Sequence, residues 1–144
     1  MKVADILESK GRHVVTIAPS ETIKALSSQL RRERIGAVVV SEDAKSIEGI
    51  ISERDIARGL DVHDADLPEK KVEDLMTRSV FTCTPEDTIS NLMKLMTDKR
   101  IRHVPVVEDQ ELIGLVSIGD VVKFRLEELQ LEANVMRDIA IAKR

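Results

Sequence analysis

Apolar residues along this chain come in short blocks, and the blocks come twice in the same order. Val14, Val15 and Ile17 form a β-branched run that Pro19 ends, which predicts a short strand over residues 14–17. Ile23, Leu26 and Leu30 then recur at helical spacing to about Arg34, behind an acidic Glu21 that suits a helix N-terminus; Gly36 is expected to stop that helix. Residues 37–40 are an unbroken apolar run, too short for a helix, and read as a buried strand. A polar turn at 42–46, a strand at 47–51 and a helix at 53–60 complete the first half. In the second half Ile89, Leu92, Met93 and Met96 make the helical stripe, and strands at 104–107 and 112–116 flank a turn at 108–111. Pro105 removes a ladder donor from its strand and is expected to mark an edge or a special site. Residues 1–9 predict a short helix with Val3, Ile6 and Leu7 on one face, and its counterpart is 72–76. The polar stretch 59–71, which carries Pro68, reads as a linker.

Pro19 and Pro85 stand 66 residues apart, and Asp55 and Asp120 stand 65 apart, so the register slips by one residue across the two halves. Such a repeat implies two copies of one supersecondary unit, each too small to bury its own apolar face and so packed on the other. Each half reads strand–helix–strand–strand–helix, and the fold class is α/β (α+β) with small sheets. The expected division is 1–65, 66–125 and a helical tail over 126–144. That tail carries Leu126, Leu129, Leu131, Val135, Met136, Ile139 and Ile141 at helical spacing. It packs on its own core, or its outer part meets another subunit; the second is favoured, because one small domain can hardly cover so long a stripe.

With 144 residues, 42% hydrophobic and 33% charged, the chain has the make-up of an ordinary globular protein. A net charge of −4 argues against a general nucleic-acid surface. With two Phe and no Trp or Tyr, the chain lacks base-stacking platforms, and any adenine ring is expected to sit between aliphatic side chains. The single Cys83 excludes an internal disulfide and a cysteine-cluster zinc site, and reads as a small buried hydrophobe in a reducing compartment. No signal segment and no run of about 18 apolar residues is visible, so a cytoplasmic location without a membrane partner is expected.

The candidate chemistry lies where the last strand of each half runs into a helix: Gly49-Ile50-Ile51-Ser52-Glu53-Arg54-Asp55 and Gly114-Leu115-Val116-Ser117-Ile118-Gly119-Asp120. A helix N-terminus offers free N–H groups and a favourable dipole to an anion such as phosphate. Ser52 or Ser117 adds a hydroxyl, and Asp55 or Asp120 offers acceptors for paired ribose hydroxyls. A plain N-cap explains the same residues as well. Arg54, Arg102 and His103 lie near these junctions in the repeat register, where they suit phosphate recognition or simple surface solvation. Gly36 and Ala37 stand where Arg102 and His103 stand in the other half, and small residues there let backbone approach a flat ring.

These segments resemble a tandem pair of CBS domains, the module named after cystathionine β-synthase and also called a Bateman module. The residues that carry the resemblance are Val15-x-Ile17-x-Pro19, residues 35–40 and 49–55, and in the second copy 74–77, 81–85, 100–107 and 114–120. The resemblance implies two β-α-β-β-α repeats about a pseudo-twofold axis, leaving two clefts. Such clefts hold adenosine-containing ligands: AMP, ADP, ATP, S-adenosylmethionine or NAD. It further implies that Asp55 and Asp120 hold ribose hydroxyls and that Ser52 and Ser117 contact phosphate. Thr16, Ala18, Thr82 and Thr84, with Ile35, Gly36, Ala37, Ile101, Arg102 and His103, would line the adenine pocket. Asp120 is expected to face residues 35–37, and Asp55 to face 101–103. The copies differ: Ala18 replaces Thr84, Val39 replaces Pro105, and Gly119 replaces Arg54. Inequivalent clefts are therefore expected, the more positive one suiting ATP or NAD and the other AMP.

The function expected from the residues and the resemblance together is a non-catalytic regulatory module for signal transduction that binds AMP, ATP or NAD. Its expected partners are a second copy of the chain and an effector protein. The alternative is a dimerisation module that binds no small molecule. His13, His63 and His103 are scattered without metal-ligand spacing, and no nucleophile–base constellation points to an enzyme.

Overall fold

The computed structural model describes residues 1–143. Its elements run α1 (Val3–Lys10), β1 (Thr16–Ile17), α2 (Ile23–Glu33), β2 (Ala37–Val40), β3 (Gly49–Ser52), α3 (Glu53–His63), a 3-10 turn (Asp64–Glu69), α4 (Val72–Leu75), α5 (Ile89–Lys99), β4 (His103–Glu108), β5 (Glu111–Ser117) and α6 (Ile118–Ala142). This is the mixed α/β repeat that the apolar blocks predict. Strand β2 lies between β1, which it pairs in parallel, and β3, which it pairs antiparallel. Strands β4 and β5 form an antiparallel ladder with an irregularity between Val106 and Val107.

The third position of the second sheet is nearly empty of strand. Residues 80–82 make no ladder, and only Cys83 bridges Val106 in parallel. The Cys83 N–H donates to the Pro105 carbonyl at 3.0 Å, and the Val107 N–H donates to the Cys83 carbonyl at 2.8 Å. The next rung would need a donor at position 105, and proline has none. Pairing stops there, and Phe81 stays outside the sheet. In the first copy Val39 stands in place of Pro105, and β1 pairs over two residues, Thr16 with Val39 and Ile17 with Val40.

The short helices are exchanged between the halves. Val3, Ile6 and Leu7 of α1 are buried with Cys83, Ile89, Leu92, Met96, Val104, Val106, Val116, Val121 and Phe124 of the second half. Val72 of α4 is buried with Ile17, Ile23, Leu26, Leu30, Val38, Val40, Ile51 and Leu67 of the first. The orphan N–H groups at each helix start find carbonyls on the half they cover. Val3 and Ala4 donate to Asp87 and Pro85 at 2.8 and 2.9 Å, and Val72 and Glu73 donate to Glu21 and Pro19 at 2.8 and 3.0 Å. Ile89 and Ile23 return the exchange by donating to Met1 and Lys70 at 3.1 and 2.8 Å.

The helices of the two halves begin and end alike. Thr22 and Thr88 cap α2 and α5 by accepting from Ala25 and Asn91 N–H groups at 3.1 and 3.0 Å. Both helices end on an arginine in the left-handed region, Arg34 at φ 56° and Arg100 at φ 55°. Arg34 rather than Gly36 therefore stops the first helix. Gly36 lies beyond it, and its missing Cβ faces the His103 ring, which lies 3.7 Å from where that atom would be.

Two glycines admit the exchanged helices. A Cβ at Gly114 would come within 2.5 Å of Leu7 Cδ2, and one at Gly49 within 2.7 Å of Met76 Sδ and 2.8 Å of the Thr77 carbonyl. The Thr77 carbonyl cannot move freely, because it accepts from the Ile50 N–H at 3.0 Å. Gly49→Ala should therefore lower unfolding stability by about 1–3 kcal/mol, read as a fall in thermal or urea midpoint, whereas Gly119→Ala, whose nearest neighbour is the Ser117 hydroxyl at 3.6 Å, should leave it within about 1 kcal/mol.

Candidate functional site

The cleft between the halves is built where β3 meets α3. Glu53 donates its N–H to the Gly36 carbonyl at 3.0 Å, and Ile118 donates to the Arg102 carbonyl at 2.8 Å in the matching place. These two bonds set the helix N-termini of both halves beside the start of β2 and β4. On the α3 side lies a cavity of about 620 Å³. The first half contributes Gly36, Ala37, Ile50, Ser52, Glu53, Arg54, Asp55 and Arg58. The segment between the halves contributes Thr77, Ser79, Val80 and Phe81, and the second half contributes Lys99, Arg100, Ile101, Arg102 and His103.

Five permanent cations, Arg54, Arg58, Lys99, Arg100 and Arg102, thus line the cavity against two carboxylates, Glu53 and Asp55. A cleft of one sign with apolar walls concentrates ligands of the opposite sign. Ser52 gives both its N–H (2.9 Å) and its hydroxyl (3.1 Å) to one oxygen of Asp55. The Ser52 side chain consequently caps no backbone N–H of α3. The first turn of α3 keeps its positive end uncapped by a side chain, and Asp55 keeps its second oxygen for an outside donor.

The junction before α6 is arranged differently. Ser117 Oγ accepts from the Asp120 N–H at 3.2 Å, and Asp120 accepts from the Ser117 N–H at 2.9 Å, a closed capping box. The Lys10 ammonium donates to Asp120 at 2.8 Å and to the Leu115 carbonyl at 2.9 Å. Burial by itself would raise the Asp120 carboxyl; the hydrogen bonds from Lys10 and Ser117 outweigh it and hold the group below its ordinary value. His103 lies between the two junctions. Burial first, and then the Lys10 charge, hold its imidazole below its ordinary value against the opposing pull of Asp120 and Glu53.

Lys10 has a counterpart in the repeat. Met1, Val3 and Ala4 play the parts of Lys70, Val72 and Glu73 in the exchanged hydrogen bonds, an offset of 69 residues. The same offset carries Lys10 to Ser79, which lines the open cavity. A long cation therefore reaches into one junction where the other has a short hydroxyl.

Of the residues singled out in the sequence, Gly36, Ala37, Ser52, Arg54, Asp55, Ile101, Arg102 and His103 meet around the cavity. Thr16, Ala18, Ile35, Thr82, Thr84, Ser117 and Asp120 do not line it. Thr82 and Thr84 are exposed, and the Thr84 N–H is engaged by Asp87 at 2.8 Å. The cavity also holds residues that the sequence reading left out. Arg58 is one turn after Arg54 on α3, and Lys99 and Arg100 close α5; both were visible as charge at helical spacing or at a helix end. Phe81, 42% exposed, brings an aromatic face into the cleft, with Lys99 Nζ 5.4 Å from its ring centre. This corrects the expectation that only aliphatic side chains would meet a bound ring. Cys83 behaves as the sequence suggested: it is buried, and burial pushes its thiol up to about 12.

Comparison with known proteins agrees with this architecture. The family model described as "CBS domain" matches residues 3–61 and 72–127. The CBS domain-containing protein CBSX3, mitochondrial, of Arabidopsis thaliana is 36% identical over 134 residues, covering 88% of this chain and 65% of the plant protein. The chain spans 63% of a Methanopyrus kandleri relative and 24% of an inosine-5'-monophosphate dehydrogenase of Halobacterium salinarum, so it matches only part of several relatives. Among solved structures, the CBS-domain containing protein ATU1752 of Agrobacterium tumefaciens superposes with a TM-score of 0.84 at 41% identity, covering 87% of this chain and 99% of that one. The CBS domain pair of protein MJ0100, solved with 5'-methylthioadenosine and S-adenosyl-L-methionine, superposes at 0.78 with 25% identity, covering 89% and 98%. The repeat, the exchanged helices and the paired strand–helix junctions, matched twice by one family model, make this chain a member of the CBS domain family that carries a tandem CBS pair.

Proposed function

We propose that this CBS pair is a non-catalytic regulatory module that binds an adenosine nucleotide with a polyphosphate tail, ATP or NAD rather than AMP, in the Asp55 cleft. The excess of five cations over two carboxylates around that 620 Å³ cavity carries the reading. The MJ0100 pair, crystallised with two adenosine compounds, supports adenosine as the common part of the ligand. In this reading Asp55 accepts from the ribose hydroxyls through its free oxygen. The uncapped first turn of α3, Ser52 and Arg54 receive phosphate, and Arg58, Lys99, Arg100 and Arg102 hold the rest of the tail. The Asp120 junction, closed by Lys10, holds no nucleotide in the wild-type chain. The single buried Cys83 supports a reducing compartment such as the cytoplasm. No described helix is long and apolar enough to cross a membrane.

A second observation favours self-association of the same molecule. Helix α6 buries only Val121 and Phe124, while Leu126, Leu129, Val135, Met136, Ile139 and Ile141 are 43–71% exposed. Val122, Leu126, Leu129, Ala133, Met136 and Ala140 alternate at spacings of four and three along it, the spacing of a coiled-coil seam. A second copy of α6 is the partner proposed for this seam, giving a homodimer through which nucleotide occupancy would reach an effector protein.

Calorimetric titration should find ATP bound more tightly than AMP, with one nucleotide per chain. Asp55→Ala should weaken ATP by about tenfold to a hundredfold, the range for a hydrogen bond to a charged group. Equal affinity for ATP and AMP, or an unaffected Asp55→Ala variant, counts against the reading. Lys10→Ser should admit a second nucleotide per chain at the Asp120 junction; a stoichiometry of two in the wild type would refute the closure by Lys10. Light scattering after gel filtration should give a dimer mass for the wild type and a monomer mass for Leu129→Asp combined with Met136→Asp, and a wild-type monomer would remove the seam from the proposal.

A further inference from the structure

The chain has two aromatic residues, and they are used in opposite ways. Phe124 is 8% exposed, within the second core. Phe81 is 42% exposed and forms part of the cavity wall. The backbone leaves it there for an identifiable reason. The rung that would draw residue 81 into the second sheet needs an N–H at position 105, which Pro105 lacks, and pairing ends at the Cys83–Val106 bridge. A flat apolar face is thereby kept out of the sheet beside a cluster of cations.

The surroundings of that face are those of a stacking platform. Val80, Ile101 and Ile50 supply the neighbouring apolar wall, and the cationic side chains occupy the same cavity. Lys99 Nζ lies over the ring at 5.4 Å, where the negative quadrupole of the face attracts a cation. Lys99 is a flexible side chain at the end of α5, so a planar ring can take its place over Phe81 and free the ammonium for an anionic group. A heteroaromatic base with an attached phosphate chain satisfies both at once.

We infer that Phe81 is the specificity-determining residue of this cleft, a platform on which the base of the ligand stacks after displacing Lys99. This rests on the nucleotide reading above and goes beyond it in assigning the base to one side chain. Base–aromatic stacking is sequence-tolerant, so Phe81 selects for a planar ring, and the ribose and phosphate contacts supply the remaining selectivity.

The test separates the ring from the phosphates by using two probes, ATP and inorganic tripolyphosphate. In calorimetric titration Phe81→Ala should weaken ATP by about tenfold to a hundredfold, the range for loss of one stacked base, and leave tripolyphosphate unchanged. Phe81→Tyr should retain wild-type affinity for both. Adding ATP should shift the Phe81 ring protons upfield in the NMR spectrum, while tripolyphosphate should leave them in place. Since Phe81 is exposed, thermal midpoints of all variants should match the wild type. An ATP affinity that survives Phe81→Ala, or equal losses for both probes, overturns the inference while leaving the nucleotide reading intact. A wild type that binds no ATP overturns both.

Discussion

The fold depends on one reciprocal contact: each half lends its leading helix to the sheet of the other. Helix α1 closes the core under β4 and β5, and α4 closes the core under β1–β3. Neither half can bury its apolar sheet face without the other, so the two copies fold as one unit. The contact is tight enough to require glycine at 49 and 114, where the sheet passes directly beneath Met76 and Leu7. The hydrogen bonds that seat each helix end on Pro19 and Pro85, so the prolines that break the first strand of each repeat also present carbonyls to the incoming helix.

The same exchange positions the cleft. Because α4 packs on the first half and the chain must then cross to the second, residues 77–81 are drawn along the α3 N-terminus on their way. That crossing brings Ser79, Val80 and Phe81 opposite Asp55. In the other half the residues after α1 take the corresponding path past α6, and there the side chain at the matching position is Lys10, which engages Asp120 and the Leu115 carbonyl. A symmetric backbone therefore carries an asymmetric pair of junctions, one cationic and open, one neutralised from within. His103, which no small counterpart matches, fills the space over Gly36 between them and senses the charges of both sides.

Much of this was legible in the chain. The doubled order of blocks, the helical stripes of α2 and α5 and the strand–helix junctions at Ser52 and Ser117 all follow from spacing, because each is a local pattern repeated twice. Other features were not. The predicted strand over 14–17 shrinks to Thr16–Ile17, and its second copy to a single bridge, since how far a strand extends depends on donors in a neighbour distant in sequence. Gly36 had the composition of a helix stop, yet Arg34 takes the left-handed position, and the glycine serves the approach of His103 instead. Thr16, Ala18, Ile35, Thr82 and Thr84 share the repeat register of the cleft residues but lie outside the open cavity.

By itself, then, the sequence determined the repeat, the class of fold, the elements that carry the candidate chemistry and the expectation that two copies of one junction would differ. Periodicity and turn chemistry act over a few residues, and duplication makes them visible twice. Only the tertiary structure decided which junction is open. That outcome rests on whether position 10 or 79 carries a long cation, on a donor missing at Pro105 that releases Phe81, and on cations from α3 and α5 meeting in one space. Each is a contact between residues tens of positions apart, and no local pattern encodes it.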